Sequence, residues 1–164
     1  MYVDFEQIYT GLQRGVYRRI GSGSGRMVFD MGDGRYAVKA AKNRRGIAQN
    51  KTEHTIALDI SENPASNNHA HIFAKTAGIS NDNRLLIMEK AEKIYKMPEV
   101  WRCFKVRSNR EFINLKEIKE IIKRYDLVPI DLIRAGSWGK IGGRCVVIDY
   151  GFTWKVKRKY YFPF

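Results

Sequence analysis

The chain has 164 residues, of which 44% are hydrophobic and 29% charged, so it can form a buried core and does not have the composition of a disordered protein. Its formal net charge of +13 predicts attraction to polyanions such as nucleotides, nucleic acid or acidic protein surfaces. Apolar runs such as residues 85–88 are too short to cross a bilayer, and the first residues lack the order of a secretory signal. We therefore predict a cytoplasmic protein with no membrane partner.

The first half of the chain has the pattern of five strands around one helix. The strands are predicted at residues 16–20, 26–30, 35–40, 71–77 and 84–89. Asp33-Gly34 is a turn signal that predicts a hairpin between the second and third strands, because this dipeptide tolerates positive φ. A helix is predicted over residues 47–60, with an apolar stripe that fits helical spacing only roughly.

The second half of the chain changes character. Apolar residues at helical spacing predict a helix over residues 110–124, with Lys and Glu on its other face. An irregular stretch over 126–139 then leads to a buried strand at 145–148. This order predicts an α+β protein with two small lobes, residues 1–90 and 91–164, that together make one compact domain.

Three glycines, Gly21, Gly23 and Gly25, separate the first two predicted strands. Glycine lets backbone N–H groups approach a phosphate chain without obstruction by a side chain. Such glycines also make ordinary turns, so the run indicates a phosphate site only in combination with the residues that follow it.

Two further features follow the glycine run in the order that a phosphate site requires. Lys39 lies on the strand after the hairpin, where its ammonium would point beneath the glycine turn, and Glu53 on the next helix could hold that amine in place. Asp149 ends a buried strand and precedes Tyr150-Gly151, a position well suited to hold Mg²⁺. An exposed strand lysine and a turn-forming aspartate are the ordinary alternatives.

Taken together, these motifs resemble the signature set of the protein kinases. The matching residues are Gly21, Gly23 and Val28 of the glycine-rich loop, Lys39 of Ala37-Val38-Lys39, Glu53 of the first helix, Glu89 at the end of the strand leading to the hinge, and Asp149-Tyr150-Gly151 in place of Asp-Phe-Gly. The likeness covers most of the chain, from about Arg18 to Phe152. The segments Gly46 to Asn50 and Trp138-Gly139 also resemble short kinase-like proteins from phages and clostridial genomes.

The resemblance implies a protein-kinase-like fold, with a five-stranded antiparallel N-lobe that carries one main helix and a drastically reduced C-lobe. It implies ATP and Mg²⁺ as cofactors. The nucleotide-binding residues would be Gly21, Gly23, Gly25, Val28, Lys39, Glu53 and Glu89. Asp149 and Ser137 would bind the metal, and Asp131 would be the catalytic residue that orients the attacking hydroxyl.

The sequence departs from the kinase pattern at several positions. Pro129-Ile130 stand where His-Arg would precede the catalytic Asp131, and Ser137 is the nearest replacement for the missing metal-binding Asn. Arg26 occupies the position of the third loop glycine. Few residues follow Gly151, which leaves no room for the segments that bind a peptide substrate. We therefore expect either a weak phosphotransferase or an inactive pseudokinase that binds a host protein or nucleic acid.

Basic residues in the second half support the nucleic-acid alternative. Between residues 101 and 124 they are Arg102, Lys105, Arg107, Arg110, Lys116, Lys119, Lys123 and Arg124. The tail, residues 154–164, alternates basic and aromatic side chains, which suits stacking on single-stranded nucleic acid. The same tail could instead be an edge strand protected by its lysines.

The remaining candidate ligands carry weaker signals. His69 and His71 alternate and could share one face of a strand as a metal pair, but ordinary loop residues are the preferred interpretation. Cys103 and Cys145 are not spaced as a metal site, and two cysteines do not make a disulfide scaffold. We interpret Cys145 as ordinary core packing in a buried strand.

Overall fold

The computed structural model describes residues 2–162, without the side chains of residues 64–67. Within these residues the helices are α1 Phe5–Gln13, α2 Arg44–Glu62, α3 Met97–Cys103, α4 Asn109–Ile113, α5 Lys116–Tyr125, α6 Pro129–Leu132 and α7 Trp154–Tyr160. The strands are β1 Arg18–Ser22, β2 Arg26–Asp30, β3 Tyr36–Ala41, β4 Thr76–Ile79, β5 Leu85–Glu89, β6 Glu92–Lys93, β7 Trp138–Ile141 and β8 Arg144–Val147. Residues Pro64–Ile72 and Ala135–Ser137 form 3-10 segments.

Strands β1 to β5 form one antiparallel sheet in the order β1-β2-β3-β5-β4, with α2 inserted between β3 and β4. This confirms the predicted α+β class and the five-stranded antiparallel sheet with one main helix. The fourth strand is shorter and later than predicted, because residues 64–72 wind into a 3-10 segment instead of extending. Helix α1 was not predicted from the sequence.

The sheet has two buried faces, and this explains the unbroken apolar run of β5. Leu85 and Ile87 pack with Val38 and with Ile8 of α1 on one face. Leu86 and Met88, on the opposite face, belong to the cluster that includes Ile56 and Ile60 of α2. Successive side chains of a strand point to opposite faces, so Lys39, next to Val38, points to the α2 side.

Helix α2 starts where its N-cap allows it to approach the β1–β2 turn closely. The side chain of Asn43 accepts hydrogen bonds from the N–H groups of Arg45 and Gly46, at 3.0 and 3.2 Å. A Cβ atom at Gly46 would collide with the carbonyl oxygen of Gly25, so glycine is required for this contact. The glycine run is thereby fixed to the start of α2.

The second sheet, in the order β6-β7-β8, carries the end of the chain back toward α2. The helix predicted over 110–124 is two helices, α4 and α5, since α4 ends at the C-cap Asn114. The irregular stretch predicted over 126–139 contains α6, a 3-10 segment and the start of β7. The first sheet ends at Glu89 and the second starts at Glu92, and we propose the lobe boundary of residue 90 on this basis.

Two features of this half correct the sequence-based interpretation. The tail is not an edge strand, because residues 154–160 form α7, capped by the Thr153 hydroxyl, which accepts from the N–H of Val156 at 3.2 Å. Cys145 is packed in the core as predicted, but it also forms a disulfide with the exposed Cys103, 42 residues earlier, where the end of α3 meets β8. Disulfides are typical of oxidising compartments, so this pairing does not support the predicted cytoplasmic location.

Between residues 2 and 162, no helix has both the length and the apolar character needed to cross a bilayer.

Candidate functional site

Lys39 and Glu53 form a buried ion pair between β3 and α2. The Nζ atom of Lys39 lies 3.0 and 2.8 Å from the two carboxylate oxygens of Glu53. The Glu53 side chain is fully buried, and Lys39 is 6% exposed. The sequence predicted this pairing, and it depends on α2 presenting Glu53 toward the face of the sheet that carries Lys39.

Asp149 follows β8 and lies at the edge of this pair. Lys39 Nζ also donates to the carbonyl oxygen of Ile148, immediately before Asp149. The N–H groups of Tyr150 and Gly151 donate to Glu53 Oε1, at 3.0 and 3.1 Å. The structure therefore brings Lys39, Glu53 and Asp149 together, although they are far apart in the chain.

Gly151 is required because its backbone lies directly against α2. A Cβ atom at this position would overlap the carbonyl group of Gln49 and come within 2.9 Å of Glu53 Cγ. The aspartate-tyrosine-glycine segment is thus fixed against α2 by both hydrogen bonds and close packing.

Arg26 is at the centre of the same cluster, and sequence analysis gave it no role. Its Nη2 atom lies 2.6 Å from Asp149 Oδ1 and 2.9 Å from Glu53 Oε1, and its Nη1 atom lies 2.8 Å from Glu53 Oε2. Asn50 Oδ1 accepts a further hydrogen bond from Nη1 at 3.2 Å. The sequence did carry a signal for this role, because an arginine directly follows the glycine run at a position where the kinase pattern has glycine.

The cluster is held by charge in a buried environment. Burial alone would raise the pKa of Glu53, but the charges of Arg26 and Lys39 outweigh it and lower this pKa to about 2. Burial lowers the pKa of Lys39, and the attraction of Glu53 opposes that shift. The pKa of Arg26 is raised by Glu53 and Asp149 despite its burial, so it stays charged.

The glycine run forms the turn above this cluster. Gly21 pairs with Val28 across the β1–β2 ladder, and Val28 in turn pairs with Lys39. The N–H of Gly23 donates to the carbonyl oxygen of Arg26 at 2.8 Å, closing the turn. The backbone of Gly25 contacts α2 as described above.

Tyr161, directly after α7, covers the side of the turn. Its hydroxyl lies 3.2 Å from Ser24 Oγ and accepts from Gln49 Nε2 at 3.0 Å. The guanidinium carbon of Arg45 lies 4.5 Å from the centre of its ring, and Phe152 packs against the ring edge. The turn, the start of α2 and the end of α7 thus form a closed arrangement over Arg26.

Asp131 and Ser137 lie on the segment that precedes β7. Ser137 is joined to the cluster because its carbonyl oxygen accepts from the N–H of Ile148 at 2.8 Å. Asp131 pairs loosely with Arg134, at 3.5 Å, and its Oδ2 atom is buried without a hydrogen-bond partner among the described residues. Burial raises the pKa of Asp131, and the nearby charge of Asp149 raises it further.

Glu89 takes a structural position at the end of β5. Its backbone N–H donates to the carbonyl oxygen of Lys75 at 2.9 Å, and its carboxylate accepts from the Lys75 N–H at 2.9 Å. It pairs with Tyr36 in the sheet register. These contacts fix the strand end beyond which the kinase resemblance expects a hinge.

In this arrangement the carboxylate predicted to hold a divalent cation already has a cationic partner. Within the described part of the chain, no three His, Cys, Asp or Glu side chains come close enough to hold a metal ion. Arg26 takes one carboxylate oxygen of Asp149, the residue predicted to hold Mg²⁺ with Ser137. His69 contacts Glu120 at 2.7 Å, and the carbonyl oxygen of His71 accepts from Arg144, so the structure gives no support to a His69–His71 pair.

Two clefts open elsewhere on the surface. One, of about 440 Å³, lies between α2 and the segment leading into β4 and is lined by His54, Leu58 and Phe73 among others. The other, of about 370 Å³, lies beside α1 and includes Gln7 and Tyr17. Neither cleft is lined by Arg26, Lys39, Glu53 or Asp149.

No protein-family model matches this chain, and no curated protein sequence matches it. Among solved structures, it is similar to APH(2")-IIia in complex with GDP and kanamycin, with 10% identity and a TM-score of 0.43 over 79% of this chain and 44% of the other. It is also similar to APH(2")-IIa in complex with streptomycin and ATP, with 14% identity and a TM-score of 0.43 over 92% and 72%. The chain thus spans less than half of the first of these proteins.

Proposed function

We propose that this chain binds a nucleoside triphosphate, ATP in particular, at the cluster beneath the β1–β2 turn. The observation that supports this most is the convergence of Lys39, Glu53 and Asp149. A buried amine that a carboxylate fixes in place beneath a glycine turn is suited to phosphate oxygens. A second buried cation, Arg26, is a further group suited to phosphate oxygens.

Entry of a triphosphate requires local opening. The guanidinium of Arg26 and the ring of Tyr161 lie where the glycine turn meets α2, so the turn and the end of α7 have to move apart. Tyr161 is held by two hydrogen bonds between side chains, one of them exposed, and such contacts open readily. Phosphate oxygens would then contact Arg26 and Lys39 while Glu53 stays paired with both cations.

We expect Lys39→Met to weaken ATP binding about 10- to 100-fold, because a hydrogen bond to a charged group contributes about 1.5–3 kcal/mol. Isothermal titration calorimetry, with denaturation midpoints measured in parallel, checks this. Lys51→Met, at an exposed position on α2, is the matched control and should bind ATP like the native protein. Native protein that binds no ATP at millimolar concentration would contradict the proposal.

We further propose that Asp131 takes part in a slow phosphoryl transfer to a hydroxyl acceptor. The hydroxyl oxygen would attack the γ-phosphorus, the bond from that phosphorus to the β–γ bridging oxygen would break, and ADP would leave with the electron pair. The acceptor proton would pass to the carboxylate of Asp131. The Oδ2 atom of Asp131, buried and without a hydrogen-bond partner among the described residues, and the raised pKa of this carboxyl suit a proton acceptor.

Asp131→Asn should lower transfer of label from γ-labelled ATP about 10²–10⁴-fold, the usual contribution of a general base. Asp82→Asn, on the exposed turn before β5, should transfer label like the native protein. Equal labelling in native protein and Asp131→Asn removes Asp131 from the reaction. ATP binding without any transfer would make the chain a pseudokinase.

The second candidate is a polyanion-binding protein, with nucleic acid as the partner. Helix α7 supports it, because Trp154, Lys155, Arg158 and Lys159 are all exposed there. The start of α7 joins the basic end of α5, since the N–H of Lys155 donates to Asp126 Oδ2 at 3.0 Å. Binding of a single-stranded oligonucleotide through this surface should fall steeply as salt rises, whereas ATP binding in the cluster should change far less. If the partner is an acidic protein instead, the protein should not bind the oligonucleotide at any salt concentration.

A further inference from the structure

Arg26 gives the cluster a charge balance that the kinase pattern does not have. Without it, one ammonium, Lys39, faces two carboxylates, Glu53 and Asp149, and the resulting negative charge is what a divalent cation would neutralise. With Arg26 present, two cations face two carboxylates, and these four groups are balanced. The protein itself therefore supplies the positive charge opposite Asp149.

The position of Arg26 is fixed by the fold. The register pairs Arg26 with Ala41 and Val28 with Lys39, so Arg26 lies two residues from Val28 and shares the face that carries Lys39. The side chain is 6% exposed and has acceptors on both terminal nitrogens, including Asn50. A glycine at this position would leave room for an ion or phosphate, whereas arginine fills it with a guanidinium.

A guanidinium at this place also competes with a metal ion for the carboxylate of Asp149. In phosphate sites Mg²⁺ is usually held by one or two carboxylates together with waters and phosphate oxygens, so a site here would depend on the carboxylate of Asp149. Asp149 Oδ1 is engaged by Arg26 at 2.6 Å, and a second cation beside a fixed guanidinium is repelled by it.

We propose that Arg26 takes the place of the divalent cation at this site, so that phosphate is bound by Arg26 and Lys39 without a metal ion. The phosphate half of this inference rests on the proposed nucleotide binding. The metal half does not, because it concerns only Arg26 and Asp149. Arginine is suited to this exchange since its planar fork binds carboxylate and phosphate in the same bidentate manner.

The metal half is tested by titrating Mn²⁺ into the protein without nucleotide and measuring free Mn²⁺ by electron paramagnetic resonance. Native protein should bind Mn²⁺ only weakly. Arg26→Met, which keeps the length of the side chain and removes its charge, should bind Mn²⁺ at least tenfold more tightly. The double variant Arg26→Met/Asp149→Asn should lose that gain, and Arg35→Met, at an exposed position, should match the native protein.

Equal Mn²⁺ affinity in native protein and Arg26→Met overturns the proposal, whether both bind tightly or neither does. Arg26→Gln serves the same purpose if the methionine variant does not fold.

The phosphate half uses native protein alone and compares ATP affinity in EDTA with affinity in excess Mg²⁺. The two affinities should agree within about threefold, and a tenfold or greater gain with Mg²⁺ overturns the inference. No ATP binding in either buffer contradicts the proposed function instead, and leaves the Mn²⁺ result to decide the role of Arg26.

Discussion

Glu53→Gln should lower the free energy of unfolding by about 3–5 kcal/mol, the usual result of removing one partner from a buried ion pair. Glu53 accepts from Arg26, from Lys39 and from the N–H groups of Tyr150 and Gly151. A neutral amide has a single acceptor oxygen and cannot balance two buried cations. The cost therefore comes mainly from the charge left on Arg26 and Lys39.

Urea denaturation of the variant and of Glu62→Gln measures this effect. Glu62 is exposed at the end of the same helix, so its replacement should change stability by less than about 0.5 kcal/mol. Adding Arg26→Met to Glu53→Gln leaves one cation, Lys39, with one carboxylate, Asp149, and should recover part of the loss. Equal stability of Glu53→Gln and Glu62→Gln would show that the cluster contributes little.

The lowered pKa of Glu53 predicts that the folded protein loses stability at acid pH. The pKa of Glu53 is about 2 in the folded protein against an ordinary 4.5, so the folded state favours the ionised form. This contributes about 3 kcal/mol that is fully present above pH 4.5 and is lost as the pH falls toward 2. Asp30, whose pKa is also lowered to about 2, by hydrogen bonds from Lys90 and Gly32, titrates in this window. The Glu53 contribution is therefore the difference between native protein and Glu53→Gln over that range.

The parts of the fold that local pattern determines could be predicted from the sequence. Segment 26–30 has an apolar centre next to glycine turns, and it is a strand with the predicted bounds. The order of Lys39, Glu53 and Asp149 could be aligned with a known motif, and these residues do lie together. Their role in binding nucleotide stays a proposal.

What could not be predicted depends on contacts between distant segments. Arg26 lies at the centre of the cluster because it contacts Asp149, which is 123 residues later in the chain. The contact of Tyr161 with Ser24 spans 137 residues and requires the tail to form a helix that ends beside α2. The alternation of lysine and aromatic residues in that tail suits a strand as well as a helix, and only the cap at Thr153 and the packing of Val156 decide between them.

Trp138 holds the segment of Asp131 in place, and Trp138→Ala should cost about 3–5 kcal/mol of the free energy of unfolding. The indole ring is fully buried and packs edge-on against Phe104 and Phe112, with ring centres 5.5 Å away in both cases. Its Nε1–H donates to the carbonyl oxygen of Leu132 at 2.8 Å, one residue after Asp131. The substitution therefore removes a large apolar side chain and a hydrogen bond at once.

Trp154→Ala is the matched control, because this second tryptophan is 38% exposed on α7 and should lose far less stability in the same urea titration. Trp138→Phe separates the two contributions of the buried ring. It keeps most of the apolar contact and leaves the Leu132 carbonyl without its donor, for which we expect a loss of about 1–3 kcal/mol. Trp138→Phe could prove as stable as the native protein while Trp138→Ala loses the expected free energy of unfolding. The ring would then stabilise the core without fixing Leu132. The position of Asp131 would then depend on α6 and its own packing instead.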